Sequence, residues 1–231
     1  MLILLDVTVS ELRFRLLLIL LDVTILLDAT TSFEDQQDIQ LMRFADYFGR
    51  AFASVTASQF PWVKLFRESP VAKVADNPVS HIPEAVYKTS VDWINKRSME
   101  ALGSFFLWSL DNILADLASQ LGGAKGSKKG AQKTSSKSQV GLFVVLAMVL
   151  RRKPDVLVTA LPTLNETLKH LGQDKLPVIV WMVTQASQGD LAVGLHLWSH
   201  LILPIVGTKL GSNPQTRDLI LQLVERFLPF S

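Results

Sequence analysis

Cysteine is absent from the 231 residues. That removes disulfide scaffolds, zinc ribbons and thiol nucleophiles, and it fits a reducing compartment. Also missing is an apolar run long enough to cross a bilayer, which takes roughly 20 residues. The two longest candidates are Leu16–Leu27, with 12 residues, and Val140–Leu150, with 11. The first carries Asp22 at its middle, and a charge at the centre of a span costs about 2.5–3.5 kcal/mol. A signal peptide is no better served. Asp6 and Glu11 stand where a basic region belongs, and no A-x-A cleavage pattern follows. Acidic residues are missing from the whole interval between Asp116 and Asp155.

That last gap holds Lys125, Lys128, Lys129, Lys133, Lys137, Arg151, Arg152 and Lys153. Taking those eight from the 23 basic residues leaves 15 against 21 acidic residues elsewhere, a balance of −6. The net +2 is therefore one local basic region on an acidic chain. Residues 122–138, "GGAKGSKKGAQKTSSKS", offer almost nothing to a core and read as a flexible basic loop. The eight cations are the candidate contacts for an anionic surface, whether lipid, nucleic acid or acidic protein. The loop has no aromatic residue to stack on bases, which counts against RNA. Its glycines and lysines do not meet the G-x-x-x-x-G-K-[ST] spacing of a phosphate-binding loop, and no strand precedes them.

Apolar residues make up 48% of the chain and charged residues 19%, with a mean hydropathy of +0.29. Large buried faces, or life at a membrane, suit that balance. From Ile39 onward the apolar pattern is helical. Leu41, Phe44, Ala45, Phe48 and Phe52 form one stripe at spacings of three and four. Met99, Leu102, Phe106, Leu110, Ile113, Leu117 and Leu121 form a second, ended by Gly122-Gly123. Val140–Leu150 reads as a buried helix stopped by basic residues and Pro154. Pro61, Pro83 and Pro177 suit helix starts, with Pro83 at the first helical position, and Pro70 suits a stop. Gly189-Asp190 reads as a turn and N-cap, Pro204 as a kink or end, and Asn213-Pro214 as a cap and first residue. Leu219, Ile220, Leu223, Phe227 and Leu228 face inward from the last helix. Roughly eight helices of about 10–24 residues with short Pro/Gly turns predict an all-α fold of stacked helix pairs, an irregular solenoid-like domain. No fixed repeat period is legible.

Catalytic chemistry is sparse. No G-x-S-x-G elbow occurs. Asp111 with Asp116, and Glu84 with Asp92, read as solvated helix faces. His196 and His200 lie four apart, but Leu197 stands where a zincin needs Glu. They are expected to flank Trp198 on a part-buried helix. The five tryptophans, Trp62, Trp93, Trp108, Trp181 and Trp198, are expected to fill seams between helices. No catalytic, cofactor or metal residue is assigned.

The blocks "RFADYFGRAFASVTASQFPWVKLF" (43–66), "HIPEAVYKTSVDWINKR" (81–97), "SKSQVGLFVVLAMVLRRKPDVL" (136–157), "QDKLPVIVWMVTQASQGDLAVGL" (173–195) and "NPQTRDLILQLVE" (213–225) together resemble the transmembrane protein 214 family, its plant-type members above all. The likeness runs from about residue 38 to 227. It implies the helical cytosolic part of a protein tied to the endoplasmic reticulum membrane, with no enzymatic activity. In animal members it implies a link to stress-induced cell death through anchoring of a caspase. Family members continue beyond the point matching Ser231 into a helical part with membrane spans, so the chain is expected to be the N-terminal portion. The expected role is a helical scaffold or adaptor with protein partners. The alternative is a peripheral binder of anionic lipid or nucleic acid through the loop.

Residues 1–37 match nothing in that family. "ILLDVT" occurs at 3–8 and 19–24, and "ILLDAT" follows at 25–30. This leader is expected to be poorly ordered or loosely packed, and its deletion to leave the melting behaviour nearly unchanged. The helical domain is placed at 38–231, interrupted at 122–138.

Overall fold

The computed structural model describes residues 36–53, 60–122, 139–169 and 172–228. The expectations for the leader up to residue 35, and for the lysine loop from 123 to 138, lie outside those residues. The chain is all-α, with eleven α-helices and no strand among the described residues. They are α1 (Gln37–Ala51), α2 (Trp62–Glu68), α3 (Val71–Val74), α4 (Glu84–Asn95), α5 (Met99–Gly122), α6 (Gln139–Arg152), α7 (Asp155–Thr159), α8 (Leu161–Lys169), α9 (Leu176–Gly189), α10 (Leu191–Leu197) and α11 (Pro214–Phe227). None of them is long and apolar enough to cross a membrane.

Helix α6 is the hub. Every residue from Val140 to Leu150 is buried, including positions on all sides of the helix. A helix apolar all round has no face to give to water, so it collects neighbours on every side. It is packed by α1, α4, α5, α7 and α9. In a solenoid each repeat touches only the next. The stacked-pair arrangement expected from the seams is not established by these contacts, which converge on one element.

Helices α6 and α1 approach closely. Gly141 lies directly on the backbone of Phe48 and Gly49, and a Cβ at this position would overlap them. The expected α1 stripe, Leu41, Phe44, Ala45, Phe48 and Phe52, is fully buried. Phe44 stacks on Trp93 with centroids 4.8 Å apart, which ties α1 to α4. Around Phe143 of α6, Trp62 and Phe66 of α2 and Trp181 of α9 meet at 5.1, 5.2 and 5.2 Å. Such aromatic contacts add about 0.5–1.5 kcal/mol each beyond area burial. Trp62, Trp93 and Trp181 are buried as expected for seam residues, whereas Trp108 and Trp198 are half-buried.

The α5 seam is buried at Leu102, Phe106, Leu110, Ile113 and Leu117, while its ends Met99 and Leu121 are not. Five helices have fewer than ten residues, so there are more and shorter elements than the periodicity predicts. Pro70 and Pro154 mark two of the breaks. Pro61 and Pro83 sit one residue outside α2 and α4, as N-caps, with Pro83 extended at ψ 140°. A cap needs non-helical ψ, and proline fixes only φ.

Candidate functional site

Three kinds of site are possible in this architecture: a polar cluster, a cleft or an uncovered face. The largest inward polar cluster forms where α6, α9 and the 75–77 turn meet. Arg151 donates through Nε to Gln185 Oε1 at 2.8 Å and through Nη2 to the Ala75 carbonyl at 3.0 Å. Gln185 and Gln188 donate to the same carbonyl, at 2.7 and 3.3 Å. Trp181 Nε1 donates to the Asn77 carbonyl at 3.1 Å, and Arg226 lies 3.9 Å from Asp76. Burial lowers the pKa of the Arg151 guanidinium, a shift that Tyr87 and Asp76 oppose. Gly189 lets the end of α9 reach this corner, because a Cβ there would strike the Arg151 carbonyl. The cluster locks a loop to two helices, and its polar groups are spent on one another.

Arg151 was grouped with cations that contact an anionic surface, yet its guanidinium is turned inward. The Gln185 side-chain carbonyl and the Ala75 carbonyl hold it there. Arg152 is exposed and Lys153 half-buried at the same helix end. Lys125, Lys128, Lys129, Lys133 and Lys137 lie outside the described residues.

Two open clefts lie among the described residues. One, of about 430 Å³, lies between the α2–α3 junction, residues 173–177 and α11, and is lined by Glu68, Gln173, Asp174, Gln215, Asp218 and Gln222 among others. The second, of about 790 Å³, lies beside Asn165, Gln173, Leu201, Pro204 and Asn213. Asn213, Gln173 and Gln215 form an amide chain between them, with bonds of 2.6 and 3.0 Å. The carboxylates named from sequence lie on solvent-facing helix sides, with Glu84, Asp92 and Asp111 exposed and Asp116 accepting from Gln120 at 2.7 Å. No group of three or more His, Asp or Glu gathers to hold a metal among the described residues.

The uncovered face is the most distinct feature. Asp190 caps α10 by accepting from the amides of Ala192 and Val193 at 2.8 and 3.3 Å. Gly194 packs α10 tightly on Ser187 of α9. Leu197, Leu201, Ile202 and Ile205 then turn inward. On the other side Leu191, Leu195, Leu203 and Val206 are 48%, 39%, 42% and 40% exposed. They make up half of the eight large apolar side chains that stand exposed among the described residues. Trp198 lies half-buried among them in sequence, its indole N–H shielded from water with no hydrogen-bond partner. The sequence reading assigned this run no surface role. The signal was there: "LAVGLHLWSHLILPIV" has more apolar residues than one buried stripe of a short helix can use.

Pro204 shapes this face. The α-helix ends at Leu197, earlier than the expected break, and residues Trp198–Ile202 form a π turn followed by a 3-10 turn over Leu203–Gly207. Pro204 has no N–H for the His200 carbonyl that an α-helix would pair with it. Widening the turn lets the Leu203 amide bond to the Trp198 carbonyl instead. His196 and His200 project from the same segment and are exposed, on either side of half-buried Trp198. No family model matches the chain, and no curated protein or solved structure matches it either.

Proposed function

We propose that the chain is a non-enzymatic helical scaffold or adaptor that acts through a protein partner, at the cytosolic face of the endoplasmic reticulum membrane. The place and the setting in stress or cell-death signalling come from the resemblance to the transmembrane protein 214 family. The observation that carries the adaptor role is the row Leu191, Leu195, Leu203 and Val206. The four fall within sixteen residues of sequence, and exposed large apolar side chains concentrated in one segment suit an interaction surface, because leaving them in water forfeits the gain that burial brings.

Proximity labelling in cells tests this reading. The intact chain is compared with a Leu195→Glu/Leu203→Glu variant and with Leu221→Glu, an exposed leucine on α11. The expected result is a set of endoplasmic reticulum proteins labelled by the intact chain and by Leu221→Glu, and lost with the double variant. An unchanged set would overturn the adaptor role of this face. A set without reticulum proteins would overturn the location.

A further inference from the structure

The larger cleft, of about 790 Å³, falls within the range of about 300–1,000 Å³ common to small-molecule sites. Leu201, Pro204, Ile205 and Leu210 give it an apolar side. Lys209 is the one charged side chain among the described residues of the lining, and it stands exposed with no ion pair to another described residue. The amides beside it have a fixed orientation. A backbone N–H can only donate, so the Gln215 amide, at 2.8 Å, identifies Asn213 Oδ1 as its acceptor. Asn213 Nδ2 then donates to Gln173 Oε1 at 2.6 Å, and Gln173 Nε2 donates to Gln215 Oε1 at 3.0 Å. Each oxygen of this relay already holds a hydrogen. Asn213 and Gln173 both line the cleft, and each keeps one N–H that the relay does not use. The Thr208 hydroxyl is occupied, donating to the Ile205 carbonyl at 2.7 Å and accepting from the Gly211 amide at 3.5 Å. Asn165 can present either end of its amide.

The unused polar capacity is thus mainly hydrogen-bond donors and one positive charge, beside an apolar side. A ligand that covers them must bring acceptors, because a donor shut away from water and left unmet costs free energy. An anionic acceptor answers best, since hydrogen bonds to a charged group are the stronger ones. We propose that this cleft binds a small anionic amphiphile, with a carboxylate or phosphate head on Lys209 and the spare amide N–H groups, and a short hydrocarbon body along Leu201, Pro204, Ile205 and Leu210. A cationic amphiphile of the same length meets a like charge there, so the site discriminates by the sign of the head. None of the exposed row Leu191, Leu195, Leu203 and Val206 lines the cleft, and the proposal does not depend on the adaptor reading.

Isothermal titration of the whole chain with decanoate and with decyl phosphate, each below its micelle concentration, tests the site. At least one of the two should bind with one molecule per chain, and the tighter of them identifies the head as carboxylate or phosphate. Lys209→Gln should weaken binding about tenfold or more, the loss expected for a hydrogen bond to a charged group. Leu191→Glu, on the uncovered face, should leave it unchanged, and decyltrimethylammonium should not bind. In nitrogen-15 spectra of the unsubstituted chain, the side-chain amide signals of Asn213 and Gln173 should shift as the bound amphiphile is added, a readout that needs no variant to fold. No binding of either anion, equal affinity in Lys209→Gln, equal binding of the cationic amphiphile, or shifts confined to the Leu191, Leu195, Leu203 and Val206 row would overturn the proposal.

Discussion

Glycines and arginines that look alike in the sequence separate sharply once neighbours are known. Gly141 and Gly103 both sit inside long helices. A Cβ at Gly141 would overlap the backbone of α1, whereas one at Gly103 meets nothing within 4 Å. Gly141→Ala should therefore destabilise the fold by about 1–3 kcal/mol through overpacking. Gly103→Ala should stabilise it by about 0.5–1 kcal/mol, because alanine loses less backbone entropy in a helix. Urea denaturation of the two variants checks both signs. Arg151 and Arg152 make a similar pair. Arg151→Met strips the donor from buried Gln185 Oε1 and should cost about 1–3 kcal/mol. Arg152→Met, at an exposed position, should stay within about 0.5 kcal/mol of the parent by the same measurement. Nothing in "RRKP" separates these arginines, because the difference lies in acceptors 34 and 76 residues away.

At the scale of the element, helix starts were more legible than helix lengths. Asp190 and Asn213 are caps in the structure as in the sequence reading, since a short side chain with an acceptor bonds the first amides whatever the tertiary context. Asp190→Ala should cost about 1 kcal/mol, and thermal melting followed by circular dichroism measures it. The consequence should be local too, with faster amide exchange at Ala192 and Val193, whose N–H groups lose their acceptor. The end of α10 was less legible. Pro204 predicts a break, but where the backbone widens depends on what holds Leu201, Ile202 and Ile205 inward. That same widening presents the two histidines and the exposed leucines, so the candidate site owes its form to a proline that is not itself a contact residue.

For the whole molecule, the dominant fact is a single helix surrounded by others. Amides from Phe143 to Leu150 sit in a helix whose side chains are wholly buried, so they should exchange only through global unfolding. Hydrogen exchange followed by mass spectrometry should show this segment as the slowest, and α10 through residue 207 as faster, since many of its side chains are exposed. Exchange in α6 through a cheaper local opening would contradict the hub arrangement. The Leu195→Glu/Leu203→Glu variant should lose about 1–2 kcal/mol at most, because these side chains are 39% and 42% exposed and give up only part of their packing, and thermal melting measures the loss.

By itself the sequence determined the all-α class, the buried character of Val140–Leu150, the caps at Asp190 and Asn213, and the inward stripe of α1. All of these follow from local periodicity, propensity and side-chain chemistry, which act over a turn or two of helix. Only the tertiary structure decided that α6 is the centre, that Arg151 points inward, and that one side of residues 191–206 is left uncovered. Each of these depends on which distant surfaces meet, and apolar pattern states how much surface must be buried without stating against what.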